Sequence, residues 1–165
     1  MRVDQIFLIL IAGAFALVSH SSFAQNGAAD RSAEVSRQPE PLNDIKIMAQ
    51  RAALPSLKGD EKFILRESWW SGNIAPGKAK LIQVQLFRRN VYQFWLAVPN
   101  PQAELNLNLY NAEGNIVPAE MREIDGTNVI SITVKPELTG VYYVRVSLKT
   151  NLQQNQDWAV IYAYR

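Results

Sequence analysis

The sequence predicts an all-β fold, an antiparallel β-sandwich or jelly roll of about eight strands. Three observations carry this expectation. From Glu61 onward the apolar residues recur with period two rather than 3.6, as they do when alternate side chains of a strand face a core. Clusters of glycine, proline and asparagine interrupt that pattern at short intervals, and no helical period intervenes. The alternating stretches set a leucine or β-branched face against a polar one, which supplies the inner layers of two sheets packed face to face.

Residues 1–24 read as a secretory signal peptide. Arg2 lies in the n-region, an apolar run covers 6–18, and Ser22-Phe23-Ala24 offers a small-x-small cleavage site before Gln25. The run is shorter than the roughly 20 residues that span a bilayer. The expectation is therefore export, to the periplasm or outside the cell, with no membrane span left after cleavage. Residues 25–41 are rich in Ala, Ser, Gln, Asn and charge, lack periodicity, and read as a disordered linker. Residues 42–57 differ. Ile45, Met48, Ala49 and Ala52 fall at i, i+3, i+4 and i+7, one face of a helix over 42–54. Asn43 or Asp44 is its expected cap and Pro55 its expected stop. So short a helix is marginal alone, so it should dock on the β domain behind it, residues 58–165.

Within that domain, 62–70 is the first strand, with Phe63, Leu65, Trp69 and Trp70 as its bulk, and Ser71-Gly72-Asn73 is expected to end it. In 80–86, Ile82, Val84 and Leu86 share one face and Gln83 and Gln85 the other; Arg88-Arg89-Asn90 reads as a hairpin connection. In 91–98, Tyr92, Phe94, Leu96 and Val98 oppose Gln93, Trp95 and Ala97, and Pro99-Asn100-Pro101 ends the strand. In 104–110, Leu105, Leu107 and Leu109 oppose Glu104, Asn106 and Asn108. Asn111-Ala112-Glu113-Gly114 turns into a return strand at 115–117, and 120–128 reads as a polar loop. In 129–134, Ile130, Ile132 and Val134 face inward. Leu138-Thr139-Gly140 launches a strand whose core face is Tyr142, Val144 and Val146. Val141, Tyr143 and Arg145 take its other face. Gly140 is expected to supply a backbone conformation that the turn needs, so Gly140→Val should damage folding. In 158–164, Trp158, Val160, Tyr162 and Tyr164 oppose Ala159 and Ala163.

The inventory removes several chemistries. There is no cysteine, and the one histidine, His20, lies in the leader. Disulfides, thiolate nucleophiles, zinc–thiolate sites and histidine-based triads therefore have no residues to build them. Glu120, Glu123 and Asp125 form one local cluster, whereas a glycosidase sets two carboxylates across a cleft, roughly 5–10 Å apart. No cofactor is implied. The formal net charge is +2 and the basic residues are scattered, the tightest group being Lys78, Lys80, Arg88 and Arg89. That is a solvated surface, and no nucleic-acid partner is expected.

Two stretches carry a resemblance. Glu104-Leu105-Asn106-Leu107-Asn108-Leu109-Tyr110-Asn111-Ala112-Glu113-Gly114-Asn115 is similar to the "DLDLxLYDxxGN" hairpin of the bacterial pre-peptidase C-terminal domains. Leu138-Thr139-Gly140-Val141-Tyr142-Tyr143-Val144-Arg145-Val146 resembles their "L-x-x-G-x-Y-Y-V-R-V" strand. Residues 81–98 resemble the opening hairpin of that family, with Arg88-Arg89-Asn90 where a glycine-centred turn is usual. The resemblance implies a jelly-roll-like sandwich in secreted bacterial proteins, usually appended to exported enzymes and often binding surfaces, collagen or polysaccharide. It also implies a calcium site in some members, which here would fall on Glu104, Asn106 and Asn111. Two amides in place of carboxylates would weaken such a site, because calcium affinity follows ligand charge.

The aromatics are the functional lead. Adjacent strand residues point to opposite faces, so at most one of Trp69 and Trp70 enters the core, and Trp95 lies opposite Phe94 and Leu96. Trp69, Trp70, Trp95, Tyr143 and Arg145 are the candidate ligand-binding residues of a non-catalytic module for a glycan or cell-surface ligand. The alternative is an accessory subunit that docks on an exported protein partner through the helix and linker.

Overall fold

A computed structural model of the chain describes residues 40–165. The expected signal peptide, 1–24, and residues 25–39 of the expected linker lie outside the described residues, while its last two residues, 40 and 41, begin a helix.

The first element is helix α1, Glu40–Lys58. It is longer than its apolar face required. Pro41 sits in the first turn, where a missing N–H goes unused, and Asn43 and Asp44 lie inside the helix rather than capping it. Pro55 does not stop it either. A proline in the last turn removes a single helical hydrogen bond, and the chain continues until the Gly59 amide closes on the Pro55 carbonyl oxygen at 2.9 Å. Glycine is needed at that closure, since a Cβ on residue 59 would lie 2.5 Å from the same oxygen.

Nine antiparallel strands follow among the described residues. They are β1 (Ile64–Ile74), β2 (Ala79–Leu86), β3 (Tyr92–Ala97), β4 (Glu104–Tyr110), β5 (Ile116–Val117), β6 (Glu120–Glu123), β7 (Val129–Val134), β8 (Gly140–Lys149) and β9 (Gln156–Tyr164). One sheet has the order β1-β9-β3-β7-β6 and the other β2-β8-β4-β5. The pairs nest: β1 with β9, β2 with β8, β3 with β7, β4 with β5. A long hairpin rolled across two sheets gives this pattern, which is the jelly roll. β6 is added outside it, on the free edge of β7.

Three local expectations give way. Arg88-Arg89-Asn90 is not a hairpin turn, because β2 and β3 belong to different sheets and the segment crosses between them. The crossing is held by the Tyr92 hydroxyl, which accepts from the Phe87 amide at 2.9 Å and from Asn90 Nδ2 at 3.2 Å. Thr139 Oγ1 accepts from the Arg88 amide at 2.9 Å. The polar segment 120–128 contains a strand, β6, whose four exposed residues show no apolar alternation because nothing covers them. And β1 runs straight through Ser71-Gly72-Asn73. Gly72 lies opposite Trp158, whose ring fills the space a side chain would take: a Cβ there would meet Trp158 Cζ2 at 3.4 Å.

The core lies in two layers. Between the sheets sit Phe94, Leu96, Ile132, Leu107, Leu109, Val144, Val146, Val160 and their neighbours. The second layer lies on the opposite face of the five-stranded sheet, where Ile45, Ala49, Ala52 and Ala53 of α1 pack on Trp95, Ala97, Ala159, Ile161 and Ala163. Alanines on both sides let the helix approach closely, and Trp95 and Ile161 fill the remaining volume. Consequently every residue of β3 is buried. The outer face of the four-stranded sheet has no such cover. Leu81 there is 64% exposed.

Tyr142, Val144 and Val146 are in the inter-sheet core as expected, and the Tyr142 hydroxyl donates to the Leu138 carbonyl at 2.8 Å, tying the turn to its strand. Gly140 has a different status from the one its motif suggested. It begins β8, its φ is not in the left-handed region, and a Cβ would meet nothing within 4 Å. Trp95→Ala should therefore lower the unfolding free energy by about 3–5 kcal/mol, while Gly140→Ala should stay within about 0.5 kcal/mol of wild type. Urea unfolding of both variants checks this; a large loss at Gly140 would contradict the open surroundings assigned to it.

Candidate functional site

A jelly roll leaves two edge strands facing each other across the mouth of the sandwich. Here they are β1 and β2, each at the end of its sheet and not paired with the other. The slot between them is where the aromatic residues gather. At one end is an open hollow of about 480 Å³ lined by Trp69, Trp70, Ser71, Lys80, Gln83 and Trp158, among others. At the other is a hollow of about 210 Å³ lined by Arg66, Gln85, Phe87, Asn90, Tyr92, Tyr162 and Tyr164. Trp70 and Tyr162 join the two, their ring centroids 5.2 Å apart.

The register explains this gathering. Trp158, Val160, Tyr162 and Tyr164 alternate onto the inner face of β9, and β9 is the neighbour of β1. Tyr162 and Tyr164 therefore surface at the slot, while Trp158 stays buried behind its other end. Trp158 to Tyr164 spans six strand residues, about 20 Å. Tyr162 stacks on buried Phe94, centroids 5.4 Å apart and planes within 8°. Tyr164 contacts Tyr92 at 6.2 Å. These rings are held by the core and present their free sides outward.

β1 shapes the wall. Between Leu65 and Trp69 four residues of β1 advance while β9 advances two, Ala163 to Ile161. A bulge of this kind re-aims side chains. Here it brings Arg66 over the Tyr164 ring, 5.8 Å from its centroid. Hydrogen bonding to Tyr162 pushes the exposed Arg66 guanidinium above its already high usual value. After the bulge Trp70 turns into the inter-sheet space and Trp69 to the opposite face, beside α1, where Lys46 Nζ sits 4.7 Å from its ring centroid.

Trp158 carries the one buried side-chain polar atom that lacks a hydrogen-bond partner among the described residues, Nε1. An indole N–H is a donor only, and leaving it dry is costly. Gly72 is the residue opposite, and the indole packs over its bare backbone.

The sequence-predicted residues are thus divided. Trp70 turns its ring into the slot, whereas Trp69 borders the same hollow with its ring on the opposite face, beside Lys46 of α1. Trp95 does not reach it: at 1% exposure it lies beneath α1 and offers no ring face to a ligand, because the face opposite Phe94 is covered by the helix. Tyr143 and Arg145 are half-buried on the uncovered face of the four-stranded sheet, away from the slot. Arg145 Nη1 donates to Ser147 Oγ at 2.8 Å. Trp158, Tyr162, Tyr164 and Arg66 were missed as a site. The first three had been assigned to one inner face, and nothing local says that this face opens at an edge.

The calcium candidates do not converge. Glu104 begins β4 and Asn111 follows its end, some seven strand residues or about 23 Å apart. Glu104 is paired with Lys149 at 3.3 Å, and Asn111 Oδ1 accepts from the Asn115 amide at 2.8 Å to close the turn. The alternating strand that made the motif legible also separates its two ends.

The fold and the slot define a jelly roll with an aromatic-lined edge. No protein-family model matches the chain, and no curated protein matches it significantly.

Melting curves in millimolar calcium and in EDTA should coincide, since a ligand that binds only the folded state would raise the melting temperature. A rise of several degrees with calcium would restore a metal site.

Proposed function

We propose that the protein is an exported, non-catalytic binding module that holds a glycan along the slot between β1 and β2. The observation that carries this reading is the row of Trp70, Tyr162 and Tyr164 along one open edge, with Trp158 buried behind one end and the polar groups of Arg66, Lys80 and Asn90 along the slot. Sugar rings present apolar C–H faces that stack on aromatic rings, and hydroxyls that need donors and acceptors. A slot with rigid rings on its floor and polar side chains along its rim meets both requirements without reorganising. The resemblance of 104–115 and 138–146 to secreted, surface-binding sandwiches supports the same reading. The accessory-subunit alternative relied on the helix and the linker; the apolar face of the helix is occupied by the protein's own sheet, and the linker up to residue 39 lies outside the described residues.

Affinity electrophoresis through gels containing neutral and acidic polysaccharides tests it. Trp70→Ala should weaken retention by about tenfold, and Tyr143→Ala, on the open sheet face, should leave it unchanged. The opposite pattern would move the ligand to the four-stranded sheet and end the slot reading.

A further inference from the structure

The charges around the slot are unbalanced. It contains two cations, Arg66 at one end and Lys80 at the other, and no carboxylate among the residues that line it. Neither cation is in an ion pair among the described residues, where the ion pairs join Arg122 to Glu120, Lys149 to Glu104 and Arg165 to Glu61. The acids on the bordering strands are turned to other work or other surfaces. Asp157 of β9 accepts from Asn73 Nδ2 at 2.9 Å, and Glu67 of β1 lines the neighbouring hollow toward α1 with Lys46, Gln50 and the other side of Arg66, without forming an ion pair to Arg66 among the described residues. The unpartnered Trp158 Nε1 is buried behind this end of the slot and takes no part in the charge balance. The charged groups that line the slot are therefore both cations, Arg66 and Lys80.

From this we infer that the ligand of the slot is an acidic polysaccharide, a chain of uronic-acid type whose carboxylates meet Arg66 and Lys80 while its rings lie on the aromatic floor. The inference rests on the glycan reading above and narrows it to a chemical class. A neutral glycan would leave both cations without complementary charge. A polyanion without sugar rings would leave Trp70 and Tyr162 without a partner. The two cations stand at opposite ends of a slot about 20 Å long, which suits a polymer bearing a carboxylate on successive residues better than a single small acid.

The full chain should be titrated with polygalacturonate, with the same polymer fully methyl-esterified, and with polyglutamate as a polyanion lacking sugar rings. The expected order is polygalacturonate tightest, with its affinity falling as salt rises. Arg66→Gln and Lys80→Gln should each weaken it roughly two- to fivefold, as exposed ion pairs do, and both side chains are exposed enough for the variants to fold. Equal binding of the esterified and free polymers would overturn the acidic-ligand inference and leave the glycan slot standing. Polyglutamate binding as tightly as polygalacturonate would also overturn it, marking a generic anion patch. Retention of neither polymer, with no neutral polysaccharide retained either, would overturn the inference together with the reading beneath it.

Discussion

A β-sheet has two faces, and a sandwich covers only one of each. The rest of this structure follows from how the second face of the five-stranded sheet is covered. Helix α1 lays Ile45, Ala49, Ala52 and Ala53 on Trp95, Ala97, Ala159, Ile161 and Ala163, making a second core behind the first. Small residues on both surfaces allow the helix to lie close, and β3 is then buried on both sides. The helix and the sandwich are accordingly interdependent. The helix is marginal in isolation, and without it Trp95 and Ile161 would face water.

Among the described residues, that arrangement leaves two surfaces uncovered, the outer face of the four-stranded sheet and the open edge between β1 and β2. They differ chemically. The open face is a mixture of Gln83, Gln85, Asn106, Asn108, Tyr143 and Arg145, ordinary for a sheet facing water. The edge gathers aromatics whose inner sides are already fixed by packing, so their outer sides are held in place before any ligand arrives. Such pre-organisation limits the ordering cost of binding. The bulge in β1 contributes by placing Arg66 at the slot instead of in the ladder.

Much of the fold could be read directly from residue order. The alternations at 80–86, 91–98, 104–110, 129–134 and 158–164 each report which side chains face the core, because period two is a local consequence of strand geometry. The helical face of Ile45, Met48, Ala49 and Ala52 was equally plain. What failed were breaks and partners. Pro55 looked like a stop, Ser71-Gly72-Asn73 like an end, and Arg88-Arg89-Asn90 like a hairpin. Gly140 looked obligatory. Each is a residue type whose effect depends on what lies across from it. Gly72 stays in a strand because Trp158 fills the space opposite, and Gly140 has nothing beside it to demand a glycine. β6 escaped notice because an edge strand exposed on both faces needs no apolar pattern.

The sequence by itself determined the fold class, the inward face of most strands, and the absence of cysteine- or histidine-based chemistry from residues 40–165. Only the tertiary structure decided which aromatics are reachable. Trp95 and Trp70 look alike in the sequence, both flanked by alternating strand residues. One lies at the centre of a sheet under a helix and the other at an edge. The physical reason is that alternation assigns a side chain to a face, whereas strand order assigns it a distance from the sheet edge. Strand order is set by non-local pairing, here of β1 with β9 across the whole domain, and no local pattern encodes it.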